Sequence, residues 1–97
     1  MEKQEIVWLH KPEDNQFEVQ VAGCFGMIEY EMMEDGIIDL YHTEVDNELE
    51  GKGVASVLVQ KSLEYVKEQN LKFIPTCQFI ASFIKRHPEW QHLACEA

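Results

Sequence analysis

Apolar and polar residues alternate along this chain with two periods, and the change falls near residue 50. In the first half, Phe17, Val19 and Val21 alternate with Glu18 and Gln20, and Ile28, Tyr30 and Met32 alternate with Glu29 and Glu31. A period of two marks a strand with one buried face. A short apolar run over residues 6–9 precedes them and stops at Lys11-Pro12. Ala22-Gly23-Cys24 reads as a turn or an edge. Asp35-Gly36 stands between two alternating runs, which is a hairpin signal. The return strand spans Ile37 to Val45. Regular alternation there puts Ile38, Leu40 and His42 on one face and Ile37, Asp39, Tyr41, Thr43 and Val45 on the other. Three or four antiparallel strands are expected over residues 5–45.

The second half changes to a helical period. Between Val54 and Gln69 the apolar positions, Val57 excepted, fall within one half-circle at about 100° per residue. The helix is expected to stop near Asn70, a suitable residue just past a C-cap. Leu71 to Thr76 reads as a strand, ended or placed at an edge by Pro75, which has no N–H to give a ladder. Residues 78–86 carry apolar pairs at 79, 80, 83 and 84, one face of a short helix that His87-Pro88 terminates. Trp90 and Leu93 are expected to pack back. The predicted order is β-β-β-β-α-β-α in a single domain over residues 1–97. This is an α/β (α+β) class: an antiparallel meander, then a strand–helix–strand crossover, giving a mixed sheet.

Composition narrows the function. Of 97 residues, 45% are hydrophobic and ten are aromatic, enough for a real core despite a net charge of −10. No apolar run reaches the roughly 20 residues of a membrane span, and no signal-peptide core stands at the N-terminus. Cys24, Cys77 and Cys95 make no CxxC pair, which argues against a disulfide scaffold or a structural zinc site and for a reducing, cytoplasmic setting. The charge is uneven. Residues 1–50 hold two lysines against fourteen acids, and residues 51–97 hold six basic against four acidic residues. Such a first half argues against nucleic-acid contact and an anionic membrane surface. A polyanionic ligand is expected to dock on the second half, on local donors.

Three places could carry chemistry. The junction Glu48-Leu49-Glu50-Gly51-Lys52-Gly53-Val54-Ala55 follows a strand and opens a helix. Its two glycines free the backbone to turn and leave the first helical N–H groups uncovered, an anion site suited to a diphosphate. Lys52 adds a local charge; the plain alternative is a glycine-rich turn with no ligand. The spacing fits neither a Walker loop nor a dinucleotide fingerprint. Cys77 stands at the start of the last helix, where a thiol is exposed and favoured as thiolate, or else it is a small buried hydrophobe. His42 lies near the end of the strand feeding the glycine turn. If the last strand returns beside it, His42 and Cys77 could approach as a nucleophile–base pair; otherwise His42 is a solvent-facing strand residue. His10, His87 and His92 show no ligand spacing, so no metal is expected. Glu29, Glu31, Glu34 and Asp35 read as a solvated sheet face, or as an attraction for a cationic acceptor.

Four segments in order, Tyr41-His42-Thr43-Glu44-Val45, Glu50-Gly51-Lys52-Gly53-Val54-Ala55, Pro75-Thr76-Cys77-Gln78-Phe79-Ile80 and Arg86-His87-Pro88-Glu89, resemble the small GCN5-related N-acetyltransferases, in the minimal single-domain form with a cysteine at the site. The resemblance covers about residues 5–90. It implies a sheet splayed between its fourth and fifth strands with acetyl-coenzyme A in the cleft. The pantetheine arm would pair with the backbone at Thr43, Glu44 and Val45. The diphosphate would sit on the turn Gly51, Lys52, Gly53 and the helix start Val54 and Ala55. Glu48 stands where the family turn carries Gln or Arg. Cys77 would lie near the thioester, with His42 as the neighbouring histidine. The family's late tyrosine, a general acid, has no match; Phe79 and Phe83 stand there. Lys52, Lys85 and Arg86 lie in the only basic region.

The resulting expectation is an acetyl-coenzyme A-dependent transferase acting on an amine, an unidentified acceptor whose chemistry an acidic sheet face would suit to a basic peptide or polyamine. His42 is the candidate base or relay, and Cys77 the thioester contact or a transient acyl carrier. Phe79, Phe83 and Arg86 complete the coenzyme site. A monomer or weak dimer is expected. The rival expectation is a non-enzymatic acyl-coenzyme A binding or sensing module. A thiol redox protein is disfavoured, because no resolving cysteine is placed.

Overall fold

A computed structural model describes residues 5–95. Its elements are β1 (Val7–Lys11), β2 (Gln16–Val21), β3 (Cys24–Met32), β4 (Ile37–Val45), α1 (Val54–Glu68), β5 (Lys72–Ile74) and α2 (Gln78–Arg86), with 3₁₀ turns at Pro12–Asp14, Asn47–Leu49 and Pro88–Leu93. The five strands form one sheet in the order β1-β2-β3-β4-β5. The first four are an antiparallel meander, and β5 returns parallel to β4 after the α1 crossover. The expected mixed α/β architecture is therefore the observed one.

The connections follow from local chemistry. Val21 pairs with Cys24, so Ala22-Gly23 is a two-residue hairpin loop, and both residues have positive φ, 50° and 85°. That is the backbone such loops need to match strand twist. β3 consequently begins at Cys24, four residues before the first alternating apolar position. At the Asp35-Gly36 hairpin, φ is again positive at both residues, and the Met33 N–H donates to the Ile37 carbonyl at 2.7 Å. α1 ends as its sequence anticipates. Asn70 is left-handed at φ 58°. The Leu71 N–H donates to the Val66 carbonyl and the Asn70 N–H to the Lys67 carbonyl, the two bonds of a Schellman cap. The last strand is shorter than the expected Leu71–Thr76. Leu71 is spent on that cap and Pro75 ends the ladder, leaving Lys72–Ile74.

One side of the sheet carries the core. Phe17, Val19, Ile28, Ile38, Leu40 and Phe73 pack against Leu58, Val59, Leu63 and Val66 of α1 and Ile80, Phe83 and Ile84 of α2 in a single buried cluster. Trp90 closes it, its indole N–H donating to Gln60 Oε1 at 3.2 Å; Leu93 packs on the same cluster. Both helices thus cover the same face.

β4 departs from regular alternation. Glu29 faces His42 and Tyr30 faces Leu40 across the ladder, so Tyr41 is an extra residue, a β-bulge. A one-residue insertion reverses the facing of everything after it. Thr43 and Val45 oppose Ile28 and Gly26 and share the helix-covered face with Leu40. His42 and Glu44 are turned to the other face. The two-face assignment that regular alternation gives for this strand is corrected there.

Candidate functional site

β4 and β5 touch over three residue pairs only, Ile37–Asp39 with Lys72–Ile74. β4 then runs on to Val45 while Pro75 turns the chain away into α2. Past Asp39, the β4 edge that faces away from β3 has one backbone partner among the described residues: the Cys77 N–H donates to the Leu40 carbonyl at 3.0 Å. Beyond that bond the two chain segments diverge, leaving unpaired strand edge along Thr43–Val45.

The gap opens into a cleft of about 430 Å³, within the range of small-molecule sites. Thr43 and Val45 of β4 form one wall. Gly51, Gly53, Ala55 and Ser56 form the end at the start of α1, and Phe79 and Arg86 come from α2. Leu49 and Glu50 complete the lining.

The α1 end is built for an anion. Gly51 and Gly53 have φ of 74° and 76°, a region L side chains enter at a cost. A Cβ on either would meet no protein atom within 4 Å; it would project into open space. Gly53 is the N-cap and supplies no side-chain bond, and the first turn carries no acidic residue. The N–H groups of Val54, Ala55 and Ser56 precede the first helical bond, Val57 N–H to the Gly53 carbonyl, so they are free to donate outward. Arg86 brings a positive charge to the same cleft. Glu50 brings a negative one.

Cys77 is the N-cap of α2 and half-buried. Its thiol donates to the Thr43 hydroxyl at 3.3 Å, tying α2 to the wall of the cleft. On its other side, the Thr76 hydroxyl donates to the Asp39 carboxylate. The seam between β4 and α2 is therefore Asp39–Thr76 on one face of the sheet and Thr43–Cys77 on the other.

Of the residues singled out in sequence, Thr43, Val45, Gly51, Gly53, Ala55, Phe79 and Arg86 line one cleft. Others stand elsewhere. Val54 is buried in the core and offers only its backbone. Lys52 is exposed and does not line the cleft. Phe83 is 1% exposed and stacks on His87 with ring centroids 4.2 Å apart, so its ring belongs to the core between α1 and α2. His42 and Cys77 are not brought together: the bulge turns His42 to the open face, where Nε2 lies 3.8 Å from Glu44 Oε2, and the partner of Cys77 is Thr43. Leu49, Glu50 and Ser56 also line the cleft, although the sequence assigned none of them to the site. Leu49 is a lone apolar residue in an acidic run, and that isolation was its only signal. No group of three or more His, Cys, Asp or Glu residues among the described residues could hold a metal ion.

The comparisons with known proteins agree with this geometry. Residues 16–93 match the family profile described as GCN5-related N-acetyl-transferase. The chain is 36% identical over 86 residues to Protein NATD1 of Mus musculus, covering 87% of this chain and 78% of that protein. It is 31% identical to Protein NATD1 of Danio rerio over a similar span, 87% and 78%. The solution structure of a GCN5-like protein from Staphylococcus aureus superposes with a TM-score of 0.71 at 26% identity, over 100% of this chain and 93% of that one. A profile match over most of the chain, a shared fold and a strand-splayed cleft ending on a glycine turn lead to one conclusion: the chain belongs to the GCN5-related N-acetyltransferase family.

Proposed function

We propose that this chain transfers an acetyl group from acetyl-coenzyme A to an amine. The observation that carries the reading is the splay of β4 from β5 above an uncapped helix N-terminus that begins at two positive-φ glycines. The residues fit the coenzyme. The unpaired β4 edge at Thr43–Val45 offers alternating donors and acceptors to an amide-bearing arm. The free N–H groups of Val54, Ala55 and Ser56, with Arg86, offer a diphosphate its donors. Phe79 and Val45 supply apolar walls.

Acetyl-coenzyme A brings the activated acyl carbon. The acceptor nitrogen attacks that carbon, a C–N bond forms, the C–S bond breaks, and the nitrogen's proton is lost. An ordinary alkyl amine has a pKa near 10.4, so the site must favour its neutral form. His42, exposed beside Glu44, is the candidate that takes the proton. Cys77, fixed by Thr43 at the seam, is the candidate that meets the sulfur side of the thioester. A His42–Cys77 dyad is absent, which favours direct transfer over an acyl-cysteine step.

Thermal unfolding with and without acetyl-coenzyme A tests the reading. At a hundred times the dissociation constant the ligand stabilises by about 2.7 kcal/mol, which raises Tm by roughly 10 °C or more in a domain of this size. No shift would sink the proposal. A shift that Cys77→Ser and His42→Ala retain, with no turnover of any amine by the parent chain, would make the protein an acyl-coenzyme A binding or sensing module instead.

A further inference from the structure

The face of the sheet opposite the helices carries no helix, and only Glu18 at its centre is buried, under Lys11, Gln16 and Gln20. Side chains there form continuous rows across the strands: Leu9, Glu18, Met27 and Glu44; Lys11, Gln16, Glu29 and His42; Val7, Gln20 and Phe25; Glu31, Asp39 and Ile74. None of them belongs to the hydrophobic cluster or packs against it. Phe25 is 47% exposed and Val7 39%, so large apolar side chains stand in water among carboxylates. The face carries two lysines, Lys11 and, at its β5 edge beside Ile37, the exposed Lys72, against the carboxylates of Glu18, Glu29, Glu31, Asp39 and Glu44. Lys11 is committed to Glu18 at 3.2 Å, and Glu29 and Glu31 have no ion-pair partner among the described residues.

We infer that this face docks a lysine-rich peptide segment with interspersed apolar residues, and that the segment is the acyl acceptor. The inference rests on the proposed transferase reading. Charge complementarity selects the partner. A second copy of this chain would set Glu29 and Glu31 against like charges in an isologous contact. A small polyamine would satisfy the carboxylates and leave Phe25 and Val7 wet. An extended basic peptide satisfies both. The position selects the role. Asp39 belongs to this face and accepts from Thr76, next to Cys77 at the seam of the cleft, and His42 opens onto it. A lysine arriving from the open face therefore reaches the seam from the side opposite the glycine turn.

The test is an NMR titration of the ¹⁵N-labelled chain with a synthetic peptide of alternating lysine and leucine. About twelve residues, roughly 40 Å when extended, suit a molecule 44 Å in its longest dimension. An alternating glutamate–leucine peptide and spermine serve as comparisons. The expected result is amide shifts on Met27, Glu29, Glu31 and Glu44, with affinity falling with salt. Affinity should also fall about tenfold in the triple variant Phe25→Ser, Glu29→Gln, Glu31→Gln. These three sites lie outside the core, and unchanged thermal unfolding checks that the variant folds. Shifts confined to the helical side, equal binding of the glutamate peptide or of spermine, or self-association through this face without peptide would each overturn the inference. So would an unweakened triple variant. Acetyl-coenzyme A binding is measured on the same samples: if it persists while the peptide fails, the docking surface falls and the proposed function stands.

Discussion

Gly51 separates a structural from a functional role. A Cβ added there has open space around it, so Gly51→Ala carries only the cost of an L residue at φ 74°, on the order of 1 kcal/mol. Gly51→Asp also puts a carboxylate where the diphosphate would lie. Both variants should fold, with Tm lowered by several degrees, and Gly51→Asp should lose the acetyl-coenzyme A-induced rise in Tm. Glu50 makes the opposite case. It lines the same cleft and repels an anion there, so Glu50→Gln should tighten coenzyme binding in calorimetry, the more so at low salt. Ala22 is a third residue whose identity works against its backbone. It sits at φ 50° in a two-residue hairpin loop where Asn-Gly is the favoured pair. Ala22→Asn should raise stability by about 0.5–1 kcal/mol, read as a higher urea midpoint.

At the scale of elements, what the sequence revealed and what it hid divide by mechanism. α1 was legible because its stripe, its end at Asn70 and its glycine start are local signals. Its cap yields a prediction: Asn70→Gly should hold or raise stability, and Asn70→Val should lower it by roughly 1 kcal/mol, because a β-branched residue resists φ 58°. The bulge at Tyr41 was not legible. Its cause is a register between two strands, and Tyr41-His42 reads as ordinary alternation within one. That single residue decides that Thr43, and not His42, meets Cys77. Seven of the proposed coenzyme residues nevertheless fell on one cleft, because most of them come from segments contiguous in sequence. The contribution of Glu50 and Ser56 emerged only when the turn was seen folded against β4.

For the whole molecule, acid is the direction of weakness. His10 packs against Phe17 and Tyr65 and meets the Tyr30 hydroxyl at 2.6 Å. Burial holds its imidazole below the ordinary 6.5, opposed by the charge of Glu13. The hydrogen bond from Gln20, aided by Lys11 and Gln16, holds the Glu18 carboxyl below its ordinary 4.5 in spite of burial. In both cases the unfolded chain binds the proton first. Stability is fully present above the unfolded pKa and is lost as pH falls toward the folded one. Urea unfolding should therefore weaken in two stages, from about pH 6.5 downward and again from about pH 4.5 downward. His10→Gln should remove the first stage and leave the second; persistence of the first would show that another group causes it.

The three-pair junction between β4 and β5 also bears on how the molecule comes apart. The meander is held by ladders of five, six and seven pairs, closed by short loops. β5 joins it through three pairs, across a crossover that spans all of α1. Contacts that close a long loop form late and break early. The segment from β5 into α2 is thus a unit that can open while the meander stays shut. In native-state hydrogen exchange, the amides of Lys72 and Cys77, bonded to the Gly36 and Leu40 carbonyls, should exchange through an opening of lower free energy than those of Val19 and Ile28. The wall that carries Cys77, Phe79 and Arg86 is then less durable than the meander, and entry to the cleft needs no global unfolding.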